Sequence, residues 1–585
     1  MIRPFLLALA LLVGLLPSAA HAQDQTPTPA QPAAQSSAWM DELRAIPIQD
    51  GGRVMPLDTY AQQLAVQLTG RTRWRADRGP AGYADRDPIQ LFCDLLFKPN
   101  AFMNEQLIAV ENRPFKTKVG LDPLREFFTP VEIMSCKGIQ AELDAFSQRR
   151  MMDSSAPPLP DQKKALELSS ALDRIAQFSS RTPLPIVPNG PDQTFLRAGP
   201  TGGEPGTEPV QAAFAAFGKA YAAGAPLDAP AKALAGAIAN TGRLPERASK
   251  AIDYELFYNA HRPWRMAAYA YGLAIVVFGL SRLFFRKPLM WLAVLLGVWG
   301  VAEHALGTGL RVLILGRAPV SNTYESLLWM GLVGIVIGLI FQVFNRKAYY
   351  LFAGVCAAFL SVLFAGLVPM QDQTNALPAV LRSNYWLTIH VLTIVASYGV
   401  LAVASVLGHA FLTKNILFGK QIDVERDAAS KSAPLVVQTY RAIQIGLLLL
   451  TAGTILGGVW AADSWGRFWG WDPKETWALI SIVIYFAVLH ARYVGWLRDF
   501  GLAAAAVLGF AAIVWTFYGV NYVMATGLHS YGFGSGGEVW VGAWAIAELL
   551  FLVACRLRYL SLRRAASEDH KHHHQTPPTG TPATR

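Results

Sequence analysis

The sequence predicts an all-α polytopic membrane protein of about nine transmembrane helices, preceded by an exported soluble domain that is mainly helical or α+β. Three observations carry this. Apolar side chains make up 52% of the 585 residues and charged ones only 16%, with a positive mean hydropathy, which sets the chain apart from soluble globular proteins. Uninterrupted apolar runs of about 20 residues, the length that crosses a bilayer core, fall almost entirely after residue 265. Alternate connections between those runs carry clustered Lys and Arg, the pattern that marks cytoplasmic loops.

Residues 1–22 read as a signal peptide: Arg3 precedes an apolar stretch from Phe5 to Leu16, and a small-residue A-H-A site stands before Gln23. An uncleaved anchor helix is the alternative, although the run is short for a span. Residues 23–38 form a Pro, Gln and Ala linker. A periplasmic domain is expected over 39–262, with the turn-forming Asp50-Gly51-Gly52, a Gly/Pro-rich break at 187–208 and an Ala-rich helical stretch from Pro209 to about Tyr258. It presents no catalytic constellation. Cys93 and Cys136 lie in this domain, where the compartment permits a disulfide, and both the paired and unpaired states stay open. No Cys-x-x-Cys-His occurs, so covalent heme on this chain is excluded.

The transmembrane domain is expected over 263–558, with spans near 266–285, 291–313, 325–344, 349–369, 387–413, 441–460, 477–496, 501–522 and 538–556. The connections RLFFRKP, FNRKAYY, KNILFGKQIDVERDAASK and ARYVGWLRD, and the terminal RLRYLSLRR, are all basic, which places them and the C-terminus in the cytoplasm. Loops 314–324, 370–386, 461–476 and 523–537 then face outward. The excess of 51 Lys and Arg over 41 Asp and Glu is accounted for by these topology determinants, so it does not point to nucleic acid. Residues 559–585 read as a disordered cytoplasmic tail, in which His570, His572, His573 and His574 are solvated rather than metal-binding. Gly532 to Gly537 lacks the strand-turn-helix context of a nucleotide loop.

The most unusual segment runs from Trp460 to Trp477, with five tryptophans in 18 residues. An interfacial aromatic belt needs one or two per helix end. Indoles packed this densely around Gly466, Gly470 and Asp472-Pro473 make a flat apolar platform suited to a large planar ligand. A metalloporphyrin would need axial ligands, and imidazole is the usual one. His390 and His529 are expected at the depth of this loop and flank it in sequence. His490 lies well inside the seventh expected span, where an ionisable group is costly and usually functional. His304, in the second span at about the same depth, is its candidate partner, with a helix-helix hydrogen bond as the alternative. His409, near the cytoplasmic end of its span, reads as a packing or interface residue.

WGRFWGWDPKETWALI resembles the tryptophan-rich motif of the CcsA/ResC-type cytochrome c biogenesis proteins, the heme-handling proteins of System II. APVSNTYESLLW at 318–329, NYWLTIHV at 384–391, YFAVLHAR at 485–492 and YGVNYVMATGLHSYGFG at 518–534 resemble that family in the same order. The resemblance covers roughly residues 265–556. It implies that His390 and His529 ligate heme b at the external site, that His490 is a transmembrane heme ligand, and that Trp465, Gly466, Trp469, Trp471 and Asp472 form the core of the heme-presenting motif. The fourth ligand lies in the CcsB portion of fused members and has no motif match here; His304 in that role is inferred from depth alone. The sequence departs from the family at Gly316-Arg317-Ala318, where a His often stands; Arg311 and Arg317 are candidates to pair with heme propionates.

The function implied is heme export to the periplasmic face and presentation to apocytochrome c carrying Cys-x-x-Cys-His. The chain would then be a heme lyase (cytochrome c synthase) component in the bacterial inner membrane, with a CcsB/ResB-type partner and a thiol reductant pathway beside it. Two rivals remain at this level. A bis-histidine electron-transfer subunit needs no Trp-rich external loop, and a secondary transporter for another solute would hold no heme.

Overall fold

The computed structural model describes residues 38–72, 87–98, 102–110, 112–154, 158–190, 194–367, 383–419, 432–524 and 538–575. They form two compact units, up to His261 and from Arg262. The expected leader and linker, and His529, lie outside the described residues.

The first unit is mainly helical with three small antiparallel sheets. Strands Pro47–Asp50 and Arg53–Pro56 pair in register, with Asp50 opposite Arg53. Their two-residue loop is Gly51-Gly52, with φ of 56° and 81°, the turn that follows the natural twist of a hairpin. The Gly/Pro-rich stretch expected to be a break instead carries strands Leu196–Gly199 and Gly202–Gly203, joined to Leu184–Val187 in a three-stranded sheet. The Ala-rich stretch forms three helices, Glu208–Ala222, Asp228–Thr241 and Glu246–His261. The last is tied to the hairpin by Glu255, whose carboxylate accepts two bonds from Arg53 at 2.6 and 2.8 Å and one from Thr59 at 2.8 Å. Arg44 bridges Asp58 and Asp87 in the same unit. Cys93 is buried and Cys136 half-buried; both are free thiols, so the disulfide is not formed.

The second unit is a bundle of nine long helices among the described residues: α1 (Pro263–Leu280), α2 (Arg286–Leu315), α3 (Thr323–Asn345), α4 (Tyr349–Leu367), α5 (Leu392–Phe411), α6 (Pro434–Trp465), α7 (Pro473–Tyr493), α8 (Asp499–Val514) and α9 (Glu538–Gln575). Helix α5 is flanked by π-helical turns at Leu387–Val391 and Leu412–Leu417, and α8 continues as π-helix through Trp515–Met524. Among the described residues, eight helical stretches are long and apolar enough to cross a membrane. The ninth expected span falls on α9. Its apolar start gives way to Arg556, Arg558, Arg563 and Arg564, and the helix runs on to Gln575 where a tail was expected from 559.

Helix α5 is the hub, packing against α3, α6 and α8. Small residues permit the close approaches. A Cβ on Gly399 of α5 would stand 2.4 Å from the Met330 carbonyl of α3, and one on Gly453 of α6 would stand 2.8 Å from Ile394. In a bilayer such contacts replace the hydrophobic drive that lipid removes.

Candidate functional site

The loop between α6 and α7 is shorter than the sequence suggests, because α6 runs to Trp465 and α7 starts at Pro473. Gly466 ends α6 in the left-handed conformation, φ 71°, with its N–H donating to Ala462 O at 3.0 Å. Asp472 caps α7: its Oδ1 accepts from Lys474 N at 2.9 Å, Pro473 takes the first helical position, and Glu475 completes a capping box. The residues between are held from both sides. Glu475 Oε2 accepts from Gly470 N at 2.7 Å and from Asp472 N at 3.2 Å, and the Phe468 ring lies against the backbone of Gly458 in α6.

The tryptophans sit in different surroundings. Trp460 is buried, and its indole N–H finds no acceptor among the described residues. Trp469 and Trp471 meet edge to face at 5.8 Å, with Trp471 70% exposed. Trp477 packs on Trp515 at 5.7 Å, and Lys474 Nζ donates to Asn521 at 3.0 Å; together they join the start of α7 to the π-helical end of α8.

His390 stands in the π-helical turn that precedes α5, an irregularity often found at functional positions. Its Nδ1 donates to the Gly453 carbonyl at 2.8 Å, which fixes the plane of the ring. The ring meets Trp460 edge-on at 5.7 Å and lies so close to Gly457 that a Cβ there would come within 2.7 Å of Cε1. Trp386, one turn earlier, donates its indole N–H to Asp463 at 3.0 Å. His390 and the Trp-rich loop are therefore brought to the same end of the bundle, and a carbonyl-anchored imidazole beside an orphaned indole N–H suits an iron ligand in an aromatic site.

His304 and His490 are not brought together. His304 is fully buried, with Nε2 donating to the Leu328 carbonyl at 2.9 Å and Nδ1 facing the Tyr271 hydroxyl at 3.3 Å. Trp264 covers its ring at 5.4 Å. Both nitrogens are thus used in packing α1, α2 and α3, the hydrogen-bonding alternative for this residue. His490 lies on an exposed face of α7, with Nδ1 donating to the Phe486 carbonyl at 2.8 Å. Arg311 is also committed elsewhere: it is buried against Glu325, 2.7 Å from Nη2 to Oε1, and Ser321 donates to the other carboxylate oxygen through N and Oγ at 2.8 and 2.6 Å. That pairing replaces the expected propionate contact.

Residues 320–529 match the family model for the cytochrome c assembly protein. The CcsA cytochrome c biogenesis protein of Mesostigma viride is 34% identical over 289 residues, covering 44% of this chain and 92% of that protein. The chain belongs to the CcsA family. The Guillardia theta CcsA is 36% identical over 244 residues, 38% of this chain and 80% of that protein. Protein NrfI of Wolinella succinogenes is 38% identical over 241 residues, 40% of this chain; the match spans only 26% of NrfI. As a CcsA-type cytochrome c biogenesis protein the chain is multi-pass, in keeping with its eight apolar helices. The matched region includes His390, His490, His529 and the whole Trp-rich loop and leaves out His304.

Sequence reasoning missed several residues of this CcsA-type unit. Glu475 was signalled by the Asp-Pro-Lys-Glu spacing of a capping box, but its second bond, to Gly470, was not. Asn521 carried no local signal. The pair of His409 with Glu548 of α9, at 2.8 Å, joins residues 139 apart in sequence.

Proposed function

We propose that this CcsA-type chain is the heme-handling component of cytochrome c biogenesis, holding heme b at the Trp-rich end of the bundle and presenting it to apocytochrome c. The observation that carries this reading is the anchoring of His390 by the Gly453 carbonyl beside the Trp-rich loop. His390 and His529 would supply the two axial nitrogens. Trp465, Trp469 and Trp471 would flank the ring, and Gly466 and Asp472 would fix the loop that carries them.

Heme supplies two vinyl groups. Each thiol of the Cys-x-x-Cys-His segment adds its S–H across one vinyl C=C, forming one S–C and one C–H bond, with no leaving group and no external oxidant. The chain's own task is then to orient the ring and exclude competing reactions, so catalysis is mainly positioning. In this sense it acts as a heme lyase component.

His490 would hold heme earlier, within the membrane. Its place on an exposed face of α7 supports a second ligand offered by a CcsB/ResB-type partner, and the two hydrogen bonds of His304 support a packing role for that residue in place of the ligand role. The basic connections support a periplasmic Trp-rich end and a cytoplasmic C-terminus in the bacterial inner membrane. The segment 39–262, following the leader 1–22 and linker 23–38, would face the periplasm, and 263–558 would be the heme-handling domain. A thiol reductant pathway would keep the apocytochrome cysteines reduced.

The test is cytochrome c yield, read by heme-stained gels, in cells that depend on this chain. Trp469→Ala and Asp472→Ala are expected to reduce yield about tenfold or more, by loss of positioning. Normal yield in both would remove the Trp-rich loop from the reaction.

A further inference from the structure

We propose that Glu475 is a positioning residue of the heme-presenting loop, clamping the backbone on both sides of Trp471 and holding that residue in a left-handed conformation that displays its indole. This rests on the reading of the loop as the heme-presenting element.

One oxygen of Glu475 accepts from Gly470 N at 2.7 Å and from Asp472 N at 3.2 Å, the two amides that bracket Trp471. A capping box alone accounts for only one of these, the bond back to the cap residue Asp472. The shorter bond reaches Gly470, two residues before the cap, and has no role in starting α7. Its effect falls on the loop.

Trp471 has φ 56°, a conformation that disfavours any side chain and a bulky one most. Had the chain needed only a turn here, glycine would serve, as Gly466 does in the same loop at φ 71°. Burial does not explain the tryptophan, since the side chain is 70% exposed. It stands at 86° to Trp469, which is half-buried, so one indole is seated and the other is presented. Strain retained at an exposed aromatic position is the mark of a residue kept for what it contacts.

The experiment uses the full-length protein in detergent, comparing wild type with Glu475→Gln, Glu475→Ala and Trp471→Gly. Three quantities are read: amide hydrogen exchange over residues 466–477, melting temperature, and heme affinity by absorption titration. Gln keeps an acceptor oxygen, so Glu475→Gln retains slow exchange and most of the heme affinity. Glu475→Ala accelerates exchange at Gly470 and Asp472 by about tenfold and weakens heme binding, with the melting temperature of the bundle maintained. Trp471→Gly keeps slow exchange and does not lower the melting temperature, yet weakens heme binding.

Unchanged exchange in Glu475→Ala overturns the clamp. Faster exchange with unaltered heme affinity in both Glu475→Ala and Trp471→Gly overturns the display of Trp471. A wild-type protein that takes up no heme overturns the heme reading and with it the display, while exchange at Gly470 and Asp472 still decides the clamp by itself.

Discussion

His390 Nδ1 and the carbonyl oxygen of Gly453 lie 2.8 Å apart across the seam between α5 and α6. The bond exists because α6 presents Gly457 where a larger residue would keep the imidazole away, and Gly453 where a larger residue would push back Ile394 of α5. It fixes the ring plane of His390, as iron ligands generally require.

Gly457→Ala tests that seam. The added methyl would sit 2.7 Å from His390 Cε1, so the ring must move. We expect overpacking to cost about 1–3 kcal/mol and heme retention to fall, while helix content is kept. Circular dichroism and bound heme per protein check this; full retention would show that the ring position does not matter.

The buried Arg311–Glu325 pair yields a second prediction. Arg311→Ala leaves a carboxylate with 0% side-chain exposure without its counter-charge and should destabilise the bundle by about 3–5 kcal/mol. Arg311→Met combined with Glu325→Gln should recover much of that loss. Thermal unfolding in detergent reads both. An Arg311→Ala protein as stable as wild type would contradict a structural role for the pair.

His304 and His490 should separate in their effects. His304→Ala removes bonds to Leu328 and Tyr271 and leaves a cavity, so stability falls by about 2–4 kcal/mol. His490→Ala, on an exposed face, should leave the melting temperature within a few degrees and lower heme content in native membranes. The reverse pattern would return His304 to the role of ligand.

The cysteines of the first unit give a chemical prediction. Burial pushes the Cys93 thiol well above its ordinary range, and Asp94 and Asp87 add to the shift. Native protein at neutral pH should therefore react with a maleimide at half-buried Cys136 well before Cys93, which labels only on unfolding. Intact mass without reductant should correspond to four free thiols, Cys93 and Cys136 among them. A mass deficit of about 2 Da, the loss of two hydrogens, would signal the disulfide that compartment alone permits.

Much of this was legible because the signals are local. Asp50-Gly51-Gly52-Arg53 forms the tight hairpin that its two glycines announce, and Asp472-Pro473 starts α7 as a cap followed by proline should. The common level of His390 and the Trp-rich loop followed from span alternation. What was not legible depends on pairing between distant segments. Tyr271 and His304 are 33 residues apart, and nothing in either local sequence names the other. The strands at 196–203 lay hidden in a stretch rich in Gly and Pro, because their pairing partner at 184–187 lies beyond it. Helix α6 overran its expected end because Asp463 and Ser464 looked like loop residues, while Gly466 supplies the stop.

The measurement that bears most directly on the central claim is the absorption spectrum of the purified chain from heme-replete cells, oxidised and dithionite-reduced, beside His390→Gly and His529→Gly with and without added imidazole. The account predicts a low-spin bis-histidine spectrum in the wild type, its loss or weakening in both variants, and its return when imidazole fills the space left by the ring. A wild-type spectrum unchanged in both variants would contradict the assignment of these two histidines to the iron.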